Sequence, residues 1–332
     1  MVQWVHDTIQ SSLRMNAGWT YRNQIGPDAV GLTALGFYAA RYRHSTEAVW
    51  RERIARGEIT RGGSPVAPGD RLVLGDELEW HRPPWEEPPV PTQIPILYED
   101  ESVLVVDKPS GLPVLPDGGF LEHNLVTLMR DHGTADGPPA PVHRLGRGTS
   151  GVLLLARSVQ ARDHLCAQFR RITARGEDPV LRKIYRTLTS VVPGLPDVLE
   201  IHQPIGPVPH PLMGTVHAAT PDGRPACSRC RVLAREDARM LWEIDLVTGR
   251  PHQIRIHLAS IGAPLLGDPF YGPGGVPRRD ADARPGDIGY TLRSCSLRFR
   301  HPRTGRPLEI HAPIPSDLEI PSLPSAGTCG IM

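Results

Sequence analysis

Lysine is almost missing from this chain. Among 332 residues it occurs at Lys108 and Lys183 only, and arginine carries the rest of the permanent positive charge. The codon bias of a GC-rich genome accounts for that shortage, yet both lysines fall inside motifs described below. Excess charge of either sign is lacking too: Lys and Arg number 37 against 36 Asp and Glu. Net charge therefore does not announce a polyanionic partner, and only local clusters could do so. Arg41, Arg43, Arg51, Arg53, Arg56 and Arg61 form one such cluster, and Arg170, Arg171, Arg175, Arg182, Lys183 and Arg186 another. No apolar run is long enough to cross a bilayer. The opening residues, MVQWVHDTIQSSLRMNAGWT, lack the apolar core and small-residue cleavage site of a secretory signal. The cysteines, Cys166, Cys227, Cys230, Cys295 and Cys329, are odd in number and have no framework spacing, which points to reduced thiols and a cytoplasmic protein.

What is present divides the chain into blocks. Residues 1–29 read as an N-terminal extension and 30–82 as a small unit. In the latter a periodic apolar segment, Leu32 to Tyr42, precedes a second helix starting at Ser45 or Thr46 and stopping at Gly57. Short strands are expected at Glu58 to Arg61, Arg71 to Leu74 and Glu77 to Trp80. Residues 83–95 hold six prolines in PPWEEPPVPTQIP and read as a stiff linker. From residue 96 to 314 the chain reads as one α+β domain. Its strands are expected at Ser102 to Val106, Gly151 to Ala156, Ile184 to Val192, Ser228 to Leu233, Met240 to Leu246 and Leu297 to Phe299. Its helices are expected at Asn124 to Arg130, Val159 to Arg175 and His252 to Ile261. The remaining tail, 315–332, becomes small and polar from Ser322 and is expected to be disordered.

Three segments stand out chemically. The first is His143-Arg144-Leu145-Gly146-Arg147-Gly148-Thr149-Ser150-Gly151. The second is TGRPHQIRIHLASIGAPLLGDPFYG, residues 248–272, a turn leading into a helix on which Gln253 and His257 share one face and Ile254, Leu258 and Ile261 another. The third pairs Lys108-Pro109-Ser110-Gly111 after an apolar strand with Lys183-Ile184-Tyr185 at the start of another. Two other patterns carry little. Cys227 and Cys230 have metal or redox spacing without a second pair, and Thr149-Ser150-Gly151 lacks the strand–turn–helix frame of a hydrolase nucleophile.

Together these segments resemble the RluA-type RNA pseudouridine synthases, whose loop is HRLDxxTSG and whose later signature is TGRxHQIRxHL…GxPLLGDxxYG. The resemblance is to a subgroup with HRLGRGTSG, in which Gly146 stands at the family's aspartate. It implies a pseudouridine synthase fold with a central mixed, mainly antiparallel sheet. Residues 30–82 resemble the ribosomal-protein-type RNA-binding module that precedes such domains. The implied reaction isomerises uridine to pseudouridine in structured ribosomal or transfer RNA, by a monomer needing no metal and no nucleotide or other cofactor. Carried over by position, Tyr185 stacks on the flipped base and assists loss of the C5 proton, and Arg255 is the partner of the missing aspartate. His143, Arg144, Arg147, Lys108, Arg250, His252, Gln253, Arg53 and Arg56 are the expected RNA contacts, with Lys108 building the loop beside the cleft. Gly146 leaves Arg255 facing an empty, anion-attracting space unless Asp117 or Asp245 supplies a carboxylate; Asp268 belongs to the family signature and is expected to be structural. The alternative is a catalytically silent RNA-binding protein that keeps the fold.

Overall fold

A computed structural model describes residues 8–10, 15–43, 45–134, 136–175, 180–279 and 283–320, with side chains left out at 8–10 and 171–175. Two units emerge. The smaller comprises Arg14–Pro88 with Pro209–Thr215, and the larger holds the rest of the chain. Their boundary at Pro88 falls inside the proline-rich stretch, whose end already enters the strand Gln93–Glu99.

In the small unit, Thr33 caps the helix Ala34–Arg41 by accepting a hydrogen bond from Gly36 N, and Thr46 caps Glu47–Ala55 through Val49 N. Gly57, at φ +73°, ends the second helix in the left-handed conformation that glycine adopts most cheaply. The sheet runs in the order Trp19–Gln24, Glu77–Arg82, Ile59–Arg61, Ser64–Pro65. The unit therefore takes in Trp19–Gln24, which the sequence suggested was part of an extension. Arg71 to Leu74, expected as a strand, is irregular up to a turn at Leu74–Gly75, with one bridge from Arg71 to Thr33. The Asp76 carboxylate accepts from Val73 N, a local bond that competes with a ladder.

The large unit is built on a mainly antiparallel sheet. Its order is Thr8–Gln10, Gln93–Glu99, Val103–Lys108, Thr149–Ala156, Leu292–Arg300, Arg182–Ser190, Arg239–Leu246, Ser228–Arg235 and Val198–Ile201. Within it Leu292–Arg300 pairs in parallel with Thr149–Ala156 and antiparallel with Arg182–Ser190. The sequence runs VLVV and GVLLLA are apolar on both faces because both faces are covered. Leu104, Val106, Leu153 and Leu155 enter one apolar cluster with Tyr185, Trp242 and Ile244. Val103, Val105, Val152 and Leu154 enter the other, against Ala161 and Leu165 of the helix Val159–Arg175.

Two expectations are corrected here. The strand expected at Leu297 to Phe299 extends back to Leu292. Its first half is polar yet buried, and Arg293 is satisfied by Asp107 at 2.7 Å. The helix expected at Asn124 to Arg130 is a single turn, Leu125–Leu128, capped by Asn124 and followed by a 3-10 turn at Arg130–His132. The tail from Ser322 and the side chains of Arg171 and Arg175 lie outside the described residues. No helix among the described residues is long and apolar enough to cross a membrane.

Candidate active site

The glycine-rich loop is held by its carbonyls. Lys108 is fully buried, and its Nζ donates to the carbonyls of Pro109, Leu112 and Arg147. Gly111 N donates to the same Arg147 carbonyl, and Ser110 Oγ to that of Gly148. Burial pushes the Lys108 ammonium down to about 7, with Asp107 opposing. This lysine is therefore a clamp between two loops, and its expected RNA contact is corrected: no part of it reaches the surface. Gly151, at φ +106°, must be glycine, because any Cβ there would run into the Ser294 carbonyl of the neighbouring parallel strand.

Gly146 differs. It is exposed, its φ lies outside the left-handed region, and a Cβ there would meet only Thr149 Oγ1 and Tyr290 Oη, each at 3.5 Å. The loop could carry a side chain at this position; this sequence has none. Gly148, in contrast, lies flat against the Tyr290 ring, where a Cβ would sit 2.9 Å from Cζ.

Behind Tyr290 stands Arg255, and its surroundings overturn the expectation of an empty space. The guanidinium donates Nε to Asp268 Oδ2 and Nη2 to Asp268 Oδ1, both at 2.7 Å, and Nη1 to the Pro285 carbonyl at 2.5 Å. It also lies 4.3 Å from the Tyr290 ring centroid and 4.8 Å from that of Tyr271. Burial opposes the Asp268 charge, but the Arg255 pair, with Tyr271 N and Phe270 N donating as well, holds the carboxyl below its ordinary range. Asp268 is thus the partner of Arg255.

The helix carrying Arg255, Gln253–Ser260, starts at His252, whose φ of 54° is the only left-handed value at a non-glycine residue among those described. Tyr271 Oη donates to the His217 carbonyl, so His252 Nδ1 donates to Tyr271 Oη at 2.7 Å. Burial and the nearby Arg255 push His252 down to about 4, keeping the ring neutral. Gln253 spends its whole amide locally: Oε1 accepts from Thr248 and Arg250 N, and Nε2 donates to Cys227 O and Ser228 Oγ. Gln253 pins the turn, and its expected RNA contact is also corrected.

Tyr185 is buried in the cluster that contains Leu145, Ile254, Tyr290 and Leu292. Burial raises its phenol to about 12, against a hydrogen bond with Ser294. His143 faces inward, with Nε2 accepting from Leu154 N and the ring stacked on Phe169. Burial, then Lys183, pushes it down to about 3, so it shapes the loop as a neutral ring. Arg144 is exposed. Arg147 donates Nε to Gly286 O and approaches Asp287 at 3.4 Å, and Arg250 donates to Pro225 O.

Of the carboxylates offered as replacements, Asp245 is opposite Ile184 in the register, while Tyr185 is opposite Ile244. Successive side chains alternate faces, so Asp245 points away from the Tyr185 side, where Arg182 holds it at 3.0 Å. Asp117 is exposed in a short loop and accepts from Gly118 N. Glu200, His202 and Cys227 bring one metal-ligating atom each within 4.8 Å, but the Glu200 carboxylate is already taken by Arg229 at 2.8 Å.

In the small unit, the half-exposed Arg56 pairs with Glu52 and Glu58. Arg53 lies over the rings of Trp50 and Trp80, 4.4 and 4.7 Å from their centroids.

The sequence profile of the RNA pseudouridylate synthase family matches residues 102–260. An uncharacterized RNA pseudouridine synthase of Synechocystis is 46% identical over 289 residues, covering 87% of this chain and 96% of that protein. The chain belongs to the RNA pseudouridine synthase family. A ribosomal large subunit pseudouridine synthase D of Xanthomonas campestris is 35% identical over 285 residues, covering 81% of each chain. In structure, the human RNA pseudouridylate synthase domain containing 1 superposes with a TM-score of 0.53 at 21% identity, covering 70% of this chain and 89% of that one. The fold is thus the pseudouridine synthase fold, and the reaction class is isomerisation of uridine in RNA.

Tyr290 was not legible as a site residue. It lies beyond the GDPFYG signature and carries no motif; only packing places it between Gly146 and Arg255. Asp268 was legible in GDPFYG, but its partner was not.

Proposed function

We propose that this chain is an active RNA pseudouridine synthase, despite Gly146, working as a cytoplasmic monomer without cofactor or metal on structured RNA, either ribosomal or transfer RNA. A ribosomal target is favoured by the Xanthomonas relative, a ribosomal large subunit pseudouridine synthase. The observation that supports activity is Arg255. Its side chain is 2% exposed, and its charge is met inside the fold by Asp268 and the Pro285 carbonyl. Such an interior ion pair is expensive to build. It is set against Tyr290, in the apolar cluster that also holds Tyr185, an arrangement that holding RNA does not by itself call for.

In this reading the target uridine leaves its stack and enters beside Tyr185, which packs on the base. Arg144 contacts the RNA backbone, with Arg147 and Arg250 at the rim. The C1′–N1 bond breaks, the base turns, and C5 joins C1′ while its proton leaves by way of Tyr185. Arg255 fixes the Tyr290 face of the cleft. The small unit adds RNA contact through Arg53 and its neighbours.

RNA tritiated at uracil C5 tests this. Release of tritium to water from ribosomal or transfer RNA, lost in Tyr185→Phe and Arg255→Ala, is the expected result. Intact binding with no release from either pool would make the chain a silent RNA-binding protein.

A further inference from the structure

Resting on the reading of an active synthase, we propose that Tyr290 supplies the reacting oxygen that residue 146 lacks. Tyr290 is 5% exposed, and its hydroxyl oxygen, which has no hydrogen-bond partner among the described residues, is not one of the sealed polar atoms, so what exposure the residue has includes that oxygen. The hydroxyl lies against the exposed Gly146, 3.5 Å from where the first carbon of a side chain would stand. It therefore borders the space that a carboxylate at 146 would enter.

The loop is shaped for this ring. Any side chain at 148 would collide with Cζ and Oη, so Gly148 is the condition for the phenol to lie where it does. Its back is fixed by the Arg255 guanidinium, 4.3 Å from the ring centroid, and Arg255 is itself locked by Asp268. The result is a preorganised oxygen, held by a buried cation and facing the open side of the loop.

The chemistry balances without another reactant. Tyr290 Oη adds to ribose C1′ as the C1′–N1 electron pair withdraws into the uracil, and the phenol proton passes to that base, ending on N1. The base turns, its C5 pair displaces Oη from C1′, and the C5 proton, taken up through Tyr185, restores the Tyr290 hydroxyl. The product is an isomer and the enzyme is returned unchanged.

The test compares wild type, Tyr290→Phe, and Tyr290→Phe combined with Gly146→Asp. Phenylalanine keeps the ring, its packing on Gly148 and its contact with Arg255, so folding and RNA affinity by filter binding should be unchanged. Single-turnover tritium release should fall about a hundredfold or more in Tyr290→Phe, as for loss of a group acting in the transition state. It should recover at least tenfold when the carboxylate is restored at 146. Release from Tyr290→Phe at the wild-type rate overturns the assignment while leaving the synthase active. A wild-type protein that releases nothing overturns the activity reading itself.

Discussion

Replacing Asp268 by asparagine isolates the interaction on which the site is mounted. The carboxylate accepts two hydrogen bonds from Arg255 and two from the amides of Phe270 and Tyr271, and neither side chain of the ion pair is more than 2% exposed. Asparagine has the same shape and one oxygen fewer. If its oxygen keeps Arg255 Nη2 and the two amides, its NH2 faces Arg255 Nε–H, donor against donor. Arg255 is then a buried cation whose only remaining acceptors are neutral. Breaking a buried pair in this way costs about 3–5 kcal/mol. Equilibrium urea unfolding at pH 7, followed by circular dichroism, should show a loss of that size. The pH dependence carries a second signature. Asp268 titrates below its ordinary value in the folded protein, so its contribution is complete above that value and disappears as pH falls through the depressed one. The asparagine variant should lose that part of the acid limb. The pair Arg255→Met with Asp268→Leu should be more stable than either single variant and inactive. A loss below about 1 kcal/mol in Asp268→Asn would refute the reasoning, because it would mean that the charge on Arg255 is met by something else.

Gly148→Ala should cost about 1–3 kcal/mol and most of the tritium release, since its methyl would meet the Tyr290 ring. Gly146→Ala, with ordinary contacts, should leave stability unchanged or raise it by about 0.4–1 kcal/mol. His257 is fully buried, donates Nε2 to the Gln203 carbonyl and leaves Nδ1 without a partner. Burial lowers it to about 4, so between its ordinary value and 4 the unfolded chain takes up the proton and stability falls as pH falls. Urea unfolding at pH 7 and pH 5 should differ by about 2 kcal/mol from this group, and His257→Leu should remove that part of the difference. Arg144→Ala should weaken RNA binding and reduce its salt dependence, whereas Arg56→Ala, whose charge is already paired, should do neither.

How much of this could be read beforehand depends on whether the information was local. Gly57, Thr46 and the VLVV and GVLLLA runs encode their own structure through caps and apolar pattern, and the helix bearing Arg255 was visible in PHQIRIHLAS. Leu292–Arg300 was only half visible, because Arg293, Ser294 and Ser296 are polar and buried, their needs met by residues such as Asp107 far away in sequence. Lys108 and Gln253 looked like surface contacts for the same reason. A polar side chain whose bonds all end on carbonyls or amides inside the fold cannot be told from a free one by sequence. The pairing of Arg255 with Asp268 and the seat of Tyr290 against Gly146 are likewise products of packing.

Leu292–Arg300 also determines when the protein can work. It lies between Thr149–Ala156 and Arg182–Ser190, which do not pair with each other. Until the ribosome has delivered that late strand, the nascent chain has one edge of Arg182–Ser190 and the Thr149–Gly151 end of its neighbour unpaired, and neither Tyr290 nor the register that seats Tyr185. Such edges invite wrong pairing. Synthesis of this enzyme should therefore depend on chaperones over the span from residue 156 to about 300, and a chain stopped before 290 would be a soluble fragment at best, with no site to regulate.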